Sequence, residues 1–118
     1  MRTGLDVLRD SQFAPLRGRR VGLVCHPASV DRSLRHAAEL FAEAPGVTLA
    51  ALFGPEHGFA GTAQDLIGVS DASEGQLRVH SLYGATVVAL RPSAEQLRGL
   101  DTLVIDLQDV GARYYTFQ

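Results

Sequence analysis

Glu56 and His57 stand back to back in the stretch LFGPEHGF, residues 52–59, directly after an apolar run from Val47 to Phe53. Gly54 and Pro55 separate the run from the two titratable groups, and Gly58 follows them. A carboxyl group on a backbone restricted by proline is well suited to placing a proton donor. Partial exclusion of water would raise its pKa toward the range a general acid needs. The chemistry suggested is acid–base cleavage of a polar bond, with Glu56 as the acid and His57 beside it.

Two other apolar runs end in groups that could share such a site. Val21–Cys25 runs into His26-Pro27, and TLVIDLQD, residues 102–109, ends in Asp106, Gln108 and Asp109. Asp106 and Asp109 are possible partner carboxyls, and Gln108 and Arg113 could hold polar substrate groups. Tyr114 and Tyr115 could stack on a sugar ring or serve as core and edge aromatics. A divalent metal on His57, Asp106 and Asp109 is chemically conceivable, but their spacing matches no metal motif, and no metal is expected. Gly54, Gly58 and Gly61 do not form G-x-G-x-x-G, and no phosphate-binding G-x-x-x-x-G-K-[ST] is present, so no cofactor is expected. All 11 basic residues are arginine, which excludes a Schiff-base lysine within these residues. The lone Cys25 cannot close an internal disulfide, and its apolar neighbours predict a buried thiol. His36 reads as a solvated helix residue and His80 as a structural one.

The elements that would position these groups follow from periodicity. GLDVLRD, residues 4–10, predicts a short helix with Leu5 and Leu8 on one face. Val21–Cys25 predicts a strand ended by Pro27. Leu34, Ala37, Ala38 and Phe41 recur at helical spacing, which predicts a helix over 31–44 started by Asp31 or Ser33 and stopped at Pro45-Gly46. With the run at 47–53 this makes a βαβ unit, hence parallel strands. Residues 54–74, rich in Gly, Ala, Asp and Ser, predict a long loop of the kind that is usually functional or disordered. LRVHSLYG, residues 77–84, and TVVAL, residues 86–90, are weaker strand candidates. Ser93 and Gln96 form a capping box that predicts a short helix to Gly99. Residues 102–109 predict a strand apolar on both sides, hence a central one. The expected fold is α/β, a Rossmann-like layered parallel sheet in which ligands bind outside the carboxyl ends of the strands. His26, the Glu56 stretch and Asp106–Asp109 all fall at such ends. Strand ends also turn polar simply on reaching solvent, so position alone leaves both readings open.

Composition bounds the rest. The 118 residues are 46% hydrophobic and 20% charged, with a net charge of -2, which describes a folded globular chain. Nothing basic enough for nucleic acid is present, and no apolar stretch reaches the length of a membrane span. MRTGLDVLRD carries charges where a secretory signal needs an apolar core, so the expected location is the cytoplasm. GARYYTFQ lacks a stop signal where another helix should cover the last strand. The chain therefore reads as the partial N-terminal domain, residues 1–118, of a larger two-domain enzyme whose C-terminal domain is absent.

VGLVCHPASVDRSLRHAAELF, LAALFGPEHGFAG, VHSLYG and DTLVIDLQDVGARYYTF together resemble the N-terminal part of the exo-β-N-acetylmuramidase family, long catalogued as a domain of unknown function. The strings FGPEHG and DLQDVGARYYT are long and unusual, and the resemblance spans nearly the whole chain. It implies a glycoside hydrolase that releases N-acetylmuramic acid from the non-reducing end of peptidoglycan fragments in cell-wall recycling. It also implies a C-terminal domain completing the cleft. Glu56 matches the glutamate of the family's GPEHG motif and would be the catalytic acid, with His57 orienting it or binding substrate. Gln108, Asp109 and Arg113 fall in the second motif and would line the same cleft. Glycoside hydrolysis normally takes two carboxyl groups. Asp106 and Asp109 are the candidates for the second, with Asp109 placed in the catalytic set, unless that group lies downstream. His26 and Tyr114 would join Gln108 and Arg113 in binding the saccharide. The alternative from another class is a non-catalytic Rossmann-like module that binds a sugar or phosphate ligand through Glu56 and His57.

Overall fold

The computed structural model describes residues 1–55, 77–82 and 86–107. Helix α1, Gly4–Asp10, starts at a capping box: Thr3 Oγ1 accepts from the Asp6 N–H, and the Asp6 carboxylate accepts from the Thr3 N–H. Strand β1, Arg20–Cys25, is buried from Val21 onward. Helix α2, Ala37–Glu43, turns Ala37, Ala38, Leu40 and Phe41 inward. Strand β2, Thr48–Gly54, follows a turn at Gly46, whose φ of 72° suits glycine. Then come β3, Arg78–Ser81, the one-turn helix α3, Ala94–Leu97, and β4, Thr102–Asp106.

The four strands form one parallel sheet in the order β3-β2-β1-β4. The chain steps outward from β1 through β2 to β3, then returns to the other side of β1. That reversal puts a topological switch point between β1 and β4. The expected Rossmann-like α/β sheet is therefore present.

One face of the sheet carries Val21, Leu23, Cys25 and Leu52 against α2 and α1, with Phe13 and Phe41 meeting edge to face at 5.0 Å. On the other face lie Val24, Ala51 and Phe53, with Leu100 packed against them just after α3. Gly22 permits that second layer: a Cβ there would sit 2.7 Å from Leu100 Cδ1 and 3.0 Å from Phe53 Cε2. Any larger residue would have to push Leu100 off the sheet.

Four expectations change. The helix expected over 31–44 begins only at Ala37, and Leu34, counted as part of its apolar face, is 81% exposed with φ of 62°. The cause is local competition: Asp31 Oδ1 accepts from the N–H groups of Ser33 and Arg35, closing a turn instead of capping a helix. His36, read as a solvated helix residue, is the actual N-cap and is buried. TVVAL forms a 3-10 turn over Val87–Leu90, with Val87 and Val88 exposed, because no strand pairs with it among the described residues. In the described sheet β4 is an edge strand beside β1, with Leu103 and Ile105 exposed on one face, not a central strand. Apolar side chains on both faces show that a strand suits burial, but they do not choose its neighbours.

Candidate active site at the carboxyl ends of β1 and β4

Parallel strands bring their carboxyl ends to one rim, and the switch point opens a crevice there. Cys25, the last residue of β1, is paired in register with Asp106, the last residue of β4. His26 follows Cys25 and is 4% exposed. Of the expected site residues, His26 thus falls at this rim, as does Asp106. β2 ends beside β1 at Gly54-Pro55, as the sequence predicts. Glu56, His57, Gln108, Asp109, Arg113 and Tyr114 lie outside the described residues, as do the long loop's residues 56–74.

The segment after β1 is built from short polar side chains. Pro27 prevents His26 from entering a helix, and the chain folds back on itself. Ser29 N–H donates to the His26 carbonyl at 2.9 Å, and Ser29 Oγ accepts from the His26 N–H at 3.1 Å. The Ser29 hydroxyl donates in turn to the Asp106 carbonyl, tying the β1 tip to the β4 tip. Ala28 N–H donates to His26 Nδ1 at 2.8 Å. The neutral ring therefore carries its proton on Nε2. His36 is held the same way, accepting from Ala38 N–H at Nδ1 and donating from Nε2 to the His26 carbonyl at 2.9 Å.

Burial shapes the electrostatics. It lowers the His26 pKa, and His36 adds to that, while the charge of Asp106 opposes it. The Asp106 carboxyl is raised above the usual carboxylate range by burial, with His26 and His36 pulling the other way. Asp106 Oδ2 is buried and has no hydrogen-bond partner among the described residues. Cys25 is fully buried, its thiol pushed up to about 12 by burial and by Asp106. It is an inert core thiol at neutral pH, as the sequence predicts. His80 stacks on Phe53 at 5.2 Å, which fits the structural role expected of it.

Sequence reasoning missed Ser29 and His36. Ser29 left a weak signal, a short hydroxyl three residues past His26 in HPAS, suited to a local turn. His36 left none, because histidine is not among the favoured capping residues. No group of three or more His, Cys, Asp or Glu among the described residues could hold a metal ion. No helix among them is long and apolar enough to cross a membrane.

The N-terminal model of the exo-β-N-acetylmuramidase NamZ family matches residues 21–118. The chain is 41% identical, over 99% of its length, to the peptidoglycan β-N-acetylmuramidase NamZ of Bacillus subtilis strain 168. Two crystal structures of DUF1343-family proteins from Bacteroides fragilis NCTC 9343 superpose on it. One has a TM-score of 0.77 at 40% identity and the other 0.67 at 25%, each over 98% of this chain. The chain spans 28% of the length of each of these relatives. A Rossmann-like strand order, polar side chains at the strand tips of its switch point and a family match over most of the sequence agree: the chain belongs to the exo-β-N-acetylmuramidase NamZ family, whose N-terminal region it represents.

Proposed function

We propose that this chain is the Rossmann-like N-terminal domain of a two-domain, exo-acting glycoside hydrolase that releases N-acetylmuramic acid from peptidoglycan fragments, with Glu56 as its catalytic acid. The observation that carries the reading is the strand order, whose reversal puts the switch point between the β1 and β4 tips, where sheets of this kind bind their ligands. His26 and Asp106 stand at those strand tips, and the adjacent β2 ends two residues before Glu56. The relative from Bacillus subtilis, named as a peptidoglycan β-N-acetylmuramidase, supports the substrate class.

In this mechanism Glu56 protonates the glycosidic oxygen as the bond to the leaving sugar breaks. A second carboxyl group, Asp109 in the expected set, either attacks the anomeric carbon or activates water against it. His57 holds Glu56 or the substrate, and His26, Gln108, Arg113 and Tyr114 bind the muramic acid residue. Arg113 has the charge to pair with the lactyl carboxylate. A second domain supplies the facing wall of the cleft. Cytoplasmic recycling of wall fragments is the setting proposed for this activity.

The test uses the polypeptide as its gene encodes it, with a chromogenic β-N-acetylmuramide as substrate. Replacing Glu56 by Gln should lower turnover by roughly 10²–10⁴-fold with substrate binding retained. Equal turnover in both proteins removes Glu56 from the mechanism. Saccharide binding without turnover in either protein supports a binding module instead.

A further inference from the structure

The carboxyl end of β2 is held unevenly. Its register with β1 stops at Phe53, opposite Val24, whereas its register with β3 runs on to Gly54, opposite Ser81. The Leu82 N–H then donates to the Gly54 carbonyl at 2.8 Å, one residue beyond the end of β3. The last residue of β2, from which the chain runs through Pro55 to Glu56, is therefore fixed by β3. β3 is itself only four residues long and lies at the edge of the described sheet. Two of its side chains tie it down. Arg78 Nη2 donates to the Arg98 carbonyl at 3.1 Å, and His80 Nδ1 lies 3.4 Å from Gln96 Nε2 in α3. Gln96 Oε1 accepts from the Ser93 N–H in the capping box, so the other end of its amide is the nitrogen, which donates to His80. The His80 ring also stacks on Phe53, with centroids 5.2 Å apart and planes 30° from parallel. One side chain thus joins the end of β2, β3 and α3.

Histidine is a costly choice here for packing alone. Its Nε2 is buried with no hydrogen-bond partner among the described residues, a loss of stability that asks for an explanation. Phenylalanine would stack on Phe53 without that cost, but it would not accept from Gln96. Burial, with Arg78 two residues earlier on β3, lowers the His80 pKa and keeps the ring neutral, as an acceptor at Nδ1 must be. β2 carries no titratable side chain, while α3 carries Glu95 beside Gln96, and Arg98 follows it. We propose that His80 is a positioning residue for the catalytic acid: by bridging Phe53 and Gln96 it fixes the carboxyl end of β2, and with it the point at which the backbone leaves the sheet toward Glu56. This inference rests on the reading of Glu56 as the acid of a glycosidase; the bridge itself does not. A catalytic group displaced by about 1 Å loses roughly a hundredfold in rate, so a slight loosening of this strand end is enough to register.

The test uses the polypeptide as its gene encodes it, with two variants that separate the stack from the bridge. His80→Phe keeps the stack and removes the acceptor. On the same muramide substrate its kcat should fall by about tenfold or more with a smaller change in KM. The basic limb of its pH profile, which the catalytic acid sets, should move. Its thermal midpoint should be no lower than that of the wild type, since a buried donor without a partner is lost. Gln96→Glu keeps the capping box and sets a carboxylate beside Nδ1, so the midpoint of the His80 ring followed by NMR should rise by roughly half a pH unit or more. Unchanged kcat and an unmoved pH profile in His80→Phe overturn the positioning role, whatever the melting temperature, and leave the glycosidase standing. An unmoved His80 midpoint in Gln96→Glu shows that the bridge is missing and overturns the role equally, even where His80→Phe fails to fold. A wild type without turnover sinks the glycosidase reading and the positioning role with it, and a raised His80 midpoint would then mark the bridge as packing alone.

Discussion

Two buried polar clusters flank the segment that joins β1 to α2, and they are finished to different degrees. The first gathers Asp6 from α1, Arg9 one turn later and Asp31 in the turn before α2. Asp6 accepts from Thr3 through both its N–H and its hydroxyl and from the Arg32 N–H. Asp31 accepts from Ser33 and Arg35 and is paired with Arg9. Every carboxylate oxygen there has a donor. The second cluster, His26 with Asp106, leaves a buried carboxyl oxygen without one among the described residues. Buried polar networks rigidify a fold when satisfied and cost stability when they are not. The contrast separates a cluster that anchors α1 to the crossover from one that leaves a buried carboxyl oxygen without a donor among the described residues.

The pKa directions follow the same division. Hydrogen bonds from Thr3 and Arg32 bring Asp6 down to about 2, with Arg9 contributing. Burial works against ionised Asp31, yet the N–H groups of Arg35 and Ser33 and the Arg9 guanidinium bring it below its ordinary value. Asp106 moves the other way. Carboxylates of the same chemical type are thus pushed in opposite directions by the presence or absence of donors.

The largest stability effect should come from emptying the saturated cluster. Asp31→Ala strips Arg9 of its partner and releases the turn over residues 31–35, so the thermal midpoint should drop by far more than in Asp106→Asn. A comparable drop in both variants would erase the distinction. Acid should discriminate next. Carboxyls held low contribute stability above their ordinary pKa near 3.8, and that contribution is lost as pH falls toward about 2, the folded value of Asp6. Asp106 has the opposite sign: its ionisation opposes folding, and the cost is relieved as pH falls. Wild type should therefore lose stability between roughly pH 4 and pH 2, and Asp106→Asn should keep its advantage only above that window. A urea midpoint measured at several pH values decides this. The smallest effect belongs to Thr3→Ala, which removes the cap of α1 at the rim of the saturated cluster and should cost about 1 kcal/mol. Turnover in that variant should be unchanged, because Thr3 lies far along the chain from every group placed in the cleft. A loss of turnover there would join the two clusters into one unit.

Much of this was legible in the residues. The apolar runs at 21–25 and 47–53 became β1 and β2 because a compact β-branched and aliphatic run between breakers has few other outcomes. Ser93 and Gln96 announced α3, since a capping box is a purely local arrangement. Where local signals competed, periodicity misled. Leu34 fits the helical pattern, but Asp31 offered the backbone a closer partner, and the turn won. The strand ends and the position of His26 after β1 were legible, as positions rather than as a cluster. Ser29 and His36 escaped because their roles depend on groups from β4 and from the β1 tip.

Taken by itself, the sequence determined the strands β1 and β2, the capped helix α3, the parallel βαβ pattern, the family and the buried state of Cys25. Each rests on neighbours within a few residues or on motif strings read in order. Tertiary structure alone decided that the chain returns from β3 to the far side of β1, which sets Asp106 against Cys25 and His26 across 80 residues of sequence. It also decided which carboxylates found donors. Hydrogen-bond satisfaction is a property of groups brought together in space, and no spacing along a chain encodes it.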